Sequence, residues 1–181
     1  MKKILVILLA SVITLQVNAQ IKQATLQASG LTCAMCSNAI NKALQKLPFT
    51  EKVQSNIKES SFTIQFKEGQ DVDFDGIRKA VEGAGFSVAK LQVKGNFNKV
   101  AVNNDSHVSW NGENLHFLNV KQQTLQGEQT FQIVDKKFVA DKVYKKYAAN
   151  TKMECVKTGF MANCCSKDNK GTGTRIYHVT I

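Results

Sequence analysis

The chain has 181 residues, 43% hydrophobic and 21% charged, with a single proline. This composition is globular, excludes collagen-like and disordered classes, and leaves room for one ordinary domain or two small ones. Twenty-four Lys and Arg against fourteen Asp and Glu give a formal charge of +10, which on its face invites anionic partners. Five cysteines fall far below the density of a disulfide scaffold, and their number is odd. No repeat or low-complexity tract is visible, and the length speaks against a large single-domain enzyme.

Residues 1–19 read as a leader. Lys2 and Lys3 precede a mostly aliphatic run from Ile4 to Val17, and Val17-Asn18-Ala19 places a small residue before Gln20. This is the pattern of a secretory signal peptide cut after Ala19. The run is shorter than the roughly 20 apolar residues a membrane span needs, and no Cys follows it to accept a lipid. The expected product is a soluble periplasmic or secreted protein with no membrane insertion after cleavage, in a compartment where disulfides persist. Loss of Lys2 and Lys3 lowers the charge to +8, spread over both halves of the chain. Export also removes chromosomal nucleic acid from the expected partners.

Residues 20–95 read as a small α+β domain. Ala24, Leu26 and Ala28 alternate with polar residues as in a strand, and Gly30 closes it. Ile40, Ala43, Leu44 and Leu47 fall at helical spacing, with Pro48 marking the end. Val53-Ser55-Ile57 and Phe62-Ile64-Phe66 predict a hairpin. Asp71 and Asp73 suit a helix start, Ile77, Ala80, Val81 and Ala84 continue it, and Gly83 and Gly85 suit its end. Ala89, Leu91 and Val93 supply the last strand. The order βαββαβ is that of a ferredoxin-like fold.

The chemistry sits in the first strand-to-helix turn, Gly30-Leu31-Thr32-Cys33-Ala34-Met35-Cys36. Two thiols separated by two residues converge on one small volume, and the second opens a helix whose peptide dipoles favour thiolate. Two thiolates without a nearby hard ligand select a soft metal, Cu(I) first, with Hg(II) or Zn(II) as alternatives. The motif lacks the bulky and Pro residues of a thioredoxin-type site, and no second C-x-x-C completes a four-thiolate zinc cage. A resting Cys33–Cys36 disulfide is the competing state in an oxidising compartment.

This turn, together with Glu82-Gly83-Ala84-Gly85-Phe86 after the second helix, resembles the heavy-metal-associated domain of copper chaperones, copper-ATPase tails and periplasmic mercury-binding proteins. The resemblance covers residues 21–94. It implies a metal held by Cys33 and Cys36 in near-linear geometry and passed on by ligand exchange, and Thr32 before the first Cys implies copper over zinc. Two positions depart from the family's pattern. Leu31 replaces the usual Met, which packs inward beneath the loop, so loop packing changes more than ligation. Phe86 stands where soluble chaperones carry Tyr or Lys, and is more typical of domains attached to transporters.

Residues 96–181 read as a small mainly-β domain. Residues 96–104 resemble a linker merging into a strand at Val100–Val102. Val108–Trp110, Leu115–Val120 and Phe131–Val134 are short strands, with a hairpin signal at Asn111-Gly112. Val139, Val143, Tyr144 and Tyr147 form a helical stripe. Met153–Lys157 and Tyr177–Ile181 are further expected strands. Three strands, a helix and two strands match an OB-like barrel, but Lys142, Lys145 and Lys146 fit a solvated face better than an oligonucleotide groove. Cys155, Cys164 and Cys165 are candidates for a second metal site. The competing expectation is a disulfide from Cys155 to Cys164 or Cys165, leaving one thiol over. His178 is a further candidate ligand, whereas His107 and His116 read as surface histidines.

The expected function is an exported soft-metal-binding protein for capture, buffering or transfer, with the metal ion and another metal-handling or transporter protein as partners. The alternatives are a thiol–disulfide exchange protein and an adaptor whose C-terminal domain docks on a transporter. No Ser/His/Asp set, carboxylate pair or phosphate loop argues for an enzyme.

Overall fold

Alternating burial along Ile21–Ser29 makes strand β1, which pairs antiparallel on both sides. The computed structural model describes residues 21–31, 34–163, 165 and 172–181, so the expected leader lies outside the described residues. After β1 come helix α1 (Ala34–Gln45), strands β2 (Thr50–Asn56) and β3 (Ser61–Phe66), helix α2 (Phe74–Gly83) and strand β4 (Ser87–Val102). This is the expected βαββαβ order. Ile40 and Leu44 of α1, with Phe74, Ile77 and Val81 of α2, are buried in one cluster with Ala24 and Leu26 of β1 and Phe62 and Ile64 of β3. Asp73 caps α2 by accepting a hydrogen bond from the Gly76 N–H at 2.9 Å, which satisfies one of the donors a helix start leaves open.

The second half adds β5 (His107–Trp110), β6 (Glu113–Phe117), β7 (Gln123–Ile133), α3 (Asp141–Ala148), α4 (Cys155–Thr158) and β8 (Tyr177–Thr180). Asn111 and Gly112 both take positive φ, 51° and 79°, as a two-residue hairpin turn requires. The eight strands lie in one sheet, ordered β2-β3-β1-β4-β7-β8-β6-β5. All neighbours are antiparallel except β6 and β8.

Three expectations for this half are corrected. The linker at residues 96–104 is largely strand: β4 runs through to Val102, pairing with β1 over Ser87–Gly95 and with β7 over Leu91–Val102. Met153–Lys157 is not a strand. Its centre is the single helical turn α4, stopped at Gly159 (φ 77°), whose N–H reaches the Cys155 carbonyl at 2.7 Å. A five-residue segment is too short to be told from one turn of helix by its pattern. The OB-like barrel is replaced by an open, curled sheet, because β8 inserts between β7 and β6 instead of closing a ring. Side chains bridge β5 to β4 instead. Trp110 stacks on Phe97 with ring centres 4.6 Å apart, and its indole N–H donates to the Asn96 carbonyl at 3.0 Å. A bulge between Phe97 and Val100, with Lys99 at φ 50°, supplies part of the bend.

The core is continuous across both halves. Leu115, Phe117, Tyr177 and Val179 join the cluster beneath α2, with Tyr177 edge-on to Phe74 at 5.1 Å. Polar groups bind the same faces. Arg175 Nε lies 2.7 Å from Asp75 Oδ2, and its Nη2 lies 2.9 Å from Asp135 Oδ2. Burial pushes the Asp75 carboxyl upward, but Arg175 and Arg78 outweigh it and hold the group below the ordinary value. The β5–β6 hairpin brings Glu113 towards the start of α2. Burial first, then the carboxylates Asp73, Asp71 and Asp75 against an opposing pull from Arg175, push Glu113 up to about 7.

Two predictions follow from this packing. Trp110 is the sole tryptophan and lies in the second half, so its fluorescence and the far-UV circular dichroism of the whole chain should lose structure in one coincident denaturant transition. Phe97→Ala should lower the stability of that transition by about 3–5 kcal/mol. Separated transitions would show that the halves unfold independently. For Glu113, the folded form holds its proton more tightly than the unfolded chain does, so its contribution is present below about pH 4.5 and lost as pH rises through about 7. Glu113→Gln should therefore raise the melting temperature relative to the parent at pH 8, with the gap closing at pH 5.

Candidate metal centres

The first candidate lies where β1 turns into α1. Gly30 takes φ 79°, and a Cβ there would stand 4.0 Å from the Phe86 ring, so the strand ends beneath Phe86 in a conformation that favours glycine. Leu31 is half-buried against the core, in keeping with its expected place under the loop. Helix α1 then opens at Ala34 with Met35 84% exposed and Cys36 half-buried in the first turn. Cys36 thus sits at the positive end of the helix dipole, which favours thiolate and metal ligation. Thr32 and Cys33 lie outside the described residues.

The second half contains a different cluster. The β5–β6 hairpin pairs His107 with His116, and the parallel β6–β8 ladder pairs His116 with His178. The three histidines therefore stand in a row across neighbouring strands. His107 and His116 stack at 4.3 Å, and His116 meets His178 edge-on at 5.0 Å. They occupy the face opposite Leu115 and Tyr177, because successive strand residues point to opposite sides. That face is covered by α4, where Cys155 is 0% exposed. The Cys155 sulfur stands 3.5 Å from His116 Nδ1 and 3.5 Å from His178 Nε2. Asp105 Oδ1 lies 3.0 Å from His116 Nε2, and Asp135 Oδ1 lies 2.6 Å from His178 Nδ1.

Burial, then the neighbouring His178 and His107, lower His116 to about 4 against an opposing pull from Asp105. Burial and His178 likewise lower His107. Both imidazoles are therefore neutral near pH 7, with lone pairs available.

The candidate residues sort differently from expectation. His116 is fully buried, and the surface reading of it is corrected; one ring nitrogen of half-buried His107, Nε2, is also enclosed. Cys155 faces two imidazoles, and its expected pairing with Cys164 falls outside the described residues. Cys165 occupies a turn, its N–H on the Ala162 carbonyl at 2.9 Å, and Cys164 lies outside the described residues. A signal for part of the cluster was present: a two-residue turn at Asn111-Gly112 places His107 opposite His116.

Comparison with known proteins bears on the first centre. Residues 25–87 match the family model of the heavy-metal-associated domain. Over 68 residues the chain is 34% identical to a probable copper-exporting P-type ATPase of Archaeoglobus fulgidus, covering 38% of this chain and 8% of that protein. It is 27% identical over 66 residues to the copper chaperone CopZ of Staphylococcus epidermidis, covering 36% of this chain and 96% of the chaperone. Among solved structures, a putative copper-ion-binding protein from Bacillus anthracis aligns with 28% identity and a TM-score of 0.35, covering 38% of this chain and 96% of that one. The chain thus spans less than a tenth of the length of the ATPase, and its similarity lies in the N-terminal βαββαβ unit.

Burial separates the thiols kinetically. In the reduced native protein, alkylation followed by mass spectrometry should modify Cys36 rapidly and leave Cys155 protected until denaturant is added. Equal labelling of both in the native state would contradict the enclosure of Cys155.

Proposed function

We propose that this chain, whose residues 25–87 match the heavy-metal-associated domain, is an exported, non-enzymatic carrier that binds Cu(I) through Cys33 and Cys36 and passes it to a metal-handling partner. One observation carries the reading. The C-x-x-C motif of the sequence falls between the end of β1 and the first turn of α1, in a segment that matches this domain. Two thiolates suit a soft, low-coordinate ion. The position suits transfer, since Met35 beside Cys36 projects into solvent and an incoming thiolate needs such access to replace one ligand at a time. The chaperone and ATPase relatives name copper for their own activities, which supports Cu(I) here and a transporter or chaperone as the partner.

Export rests on the sequence pattern of residues 1–19. Among the described residues no helix is long and apolar enough to cross a membrane. In this reading the mature chain works at the outer side of the cytoplasmic membrane, where copper is captured or handed over.

Anaerobic titration of the reduced chain with Cu(I) against a competing chelator tests the assignment. One Cu(I) per chain should be held tightly. Cys33→Ser/Cys36→Ser should weaken that binding at least about 100-fold while leaving the far-UV spectrum unchanged. Retention of full affinity in the double variant would place the principal site elsewhere.

A further inference from the structure

The row of histidines under α4 has no role in the carrier loop, and its geometry is specific. Asp105 engages His116 at Nε2, and Asp135 engages His178 at Nδ1. Each carboxylate accepts the N–H of the nitrogen it faces, Nε2 of His116 and Nδ1 of His178, and so fixes the proton there. The other nitrogens, Nδ1 of His116 and Nε2 of His178, are left as lone pairs aimed at one sulfur. A thiol has a single proton and serves one such lone pair; the second gains nothing from it. A cation between the three atoms satisfies all of them. Carboxylate–histidine pairs of this kind are how metal-binding imidazoles are oriented.

The spacing agrees. An ion with metal–sulfur bonds of about 2.3 Å and metal–nitrogen bonds of about 2.0–2.1 Å at tetrahedral angles sets sulfur and nitrogen roughly 3.5–3.6 Å apart. Both sulfur–nitrogen distances here are 3.5 Å. One ligand atom each from His107, His116 and Cys155 also lie within 4.8 Å of one another. His107 Nε2 is buried and makes no hydrogen bond.

We propose that Cys155, His116 and His107, with His178 as the fourth donor, form a second metal site that takes one borderline divalent transition-metal ion, Zn(II) or Cu(II). One thiolate among imidazoles is a borderline donor set, unlike the soft pair of the loop. An alternative use of Cys155, His178 and Asp135 as nucleophile, base and orienting acid requires a substrate to reach the sulfur. Cys155 is 0% exposed, so an ion enters where an acyl group does not. The site is independent of Cys33 and Cys36, and its test is made without them.

The full chain carrying Cys33→Ser and Cys36→Ser, reduced and anaerobic, is titrated with Co(II) as the probe, and Zn(II) and Cu(II) follow in competition. One equivalent of Co(II) should give a thiolate charge-transfer band in the near ultraviolet and intense visible bands of tetrahedral cobalt. Zn(II) should displace it. Cys155→Ser should abolish the charge-transfer band, and Asp135→Asn, which leaves every ligand in place, should weaken affinity roughly 10–100-fold. Trp110 fluorescence and near-ultraviolet dichroism check folding. Should Cys155→Ser not fold, the same loss of affinity in His107→Gln and Asp135→Asn decides the matter. Absence of cobalt bands in the folded protein overturns the proposal, as does a thiolate band that survives Cys155→Ser. Unchanged affinity in both His107→Gln and Asp135→Asn also overturns it.

Discussion

One strand holds the molecule together. Strand β4 runs for 16 residues, with β1 on one side over Ser87–Gly95 and β7 on the other over Leu91–Val102. Leu91 to Gly95 are thus paired on both edges, and the two halves of the chain grow outward from them. Because each ladder bond is satisfied only when the neighbouring strand is in register, the βαββαβ unit fixes where β7 lies, and β7 fixes β8. The bulge after Phe97 turns the strand, and the resulting curl lets Trp110 of the far edge reach back to Phe97 and Asn96. A stack of this kind adds about 0.5–1.5 kcal/mol to the area it buries.

What was legible in the sequence follows from the range of the forces involved. Helices α1 to α3, strands β1 to β3 and the first half of β4 announce themselves by local periodicity, since Ile40 and Leu44, or Phe62 and Ile64, bury a face of their own element. The hairpin at Asn111-Gly112 was equally local. The insertion of β8 between β7 and β6 was not, because it joins His178 to His116 across 62 residues of chain by a parallel ladder. Nothing in either segment marks its partner. The same cause hid the histidine row. Leu115-His116-Phe117 shows which residues face the apolar core, and a His on the other face reads as solvated unless something covers it. The cover is α4, a single turn with almost no pattern. The C-x-x-C turn was the reverse case: its spacing was plain, while Cys33 lies outside the described residues.

Charge placement makes the two faces of the sheet depend on each other. Asp75 of α2 binds Arg175, Arg175 binds Asp135, and Asp135 orients His178 on the opposite face. A partly buried guanidinium is costly unless its donors are used. Arg175 also donates to the carbonyls of Gly159 and Ile176 at 2.9 and 2.6 Å, and lies 4.1 Å over the Tyr177 ring. Removing Asp75 would therefore expose the cost of Arg175, and Arg175 in turn helps set the carboxylate that aims His178. This is a positional dependence, carried by fixed contacts.

In the proposed carrier reading, exposure sets Cys36 apart from Cys155. Handing a metal to another protein proceeds through an intermediate in which donor and acceptor ligands share the ion, so the donor must stand where a second protein can touch it. Cys36, beside the exposed Met35, meets that condition in the first turn of α1, after the turn that Gly30 opens. Cys155 does not: it is enclosed by α4, two oriented imidazoles and the sheet itself, and closed sites with oriented ligands retain their ions and stabilise the fold that surrounds them. An ion held there would tie α4 to β6 and β8 at the point where patterning is weakest. The exposed surroundings of Cys36 suit the proposed ion in passage, and the borderline, closed set around Cys155 suits one that stays.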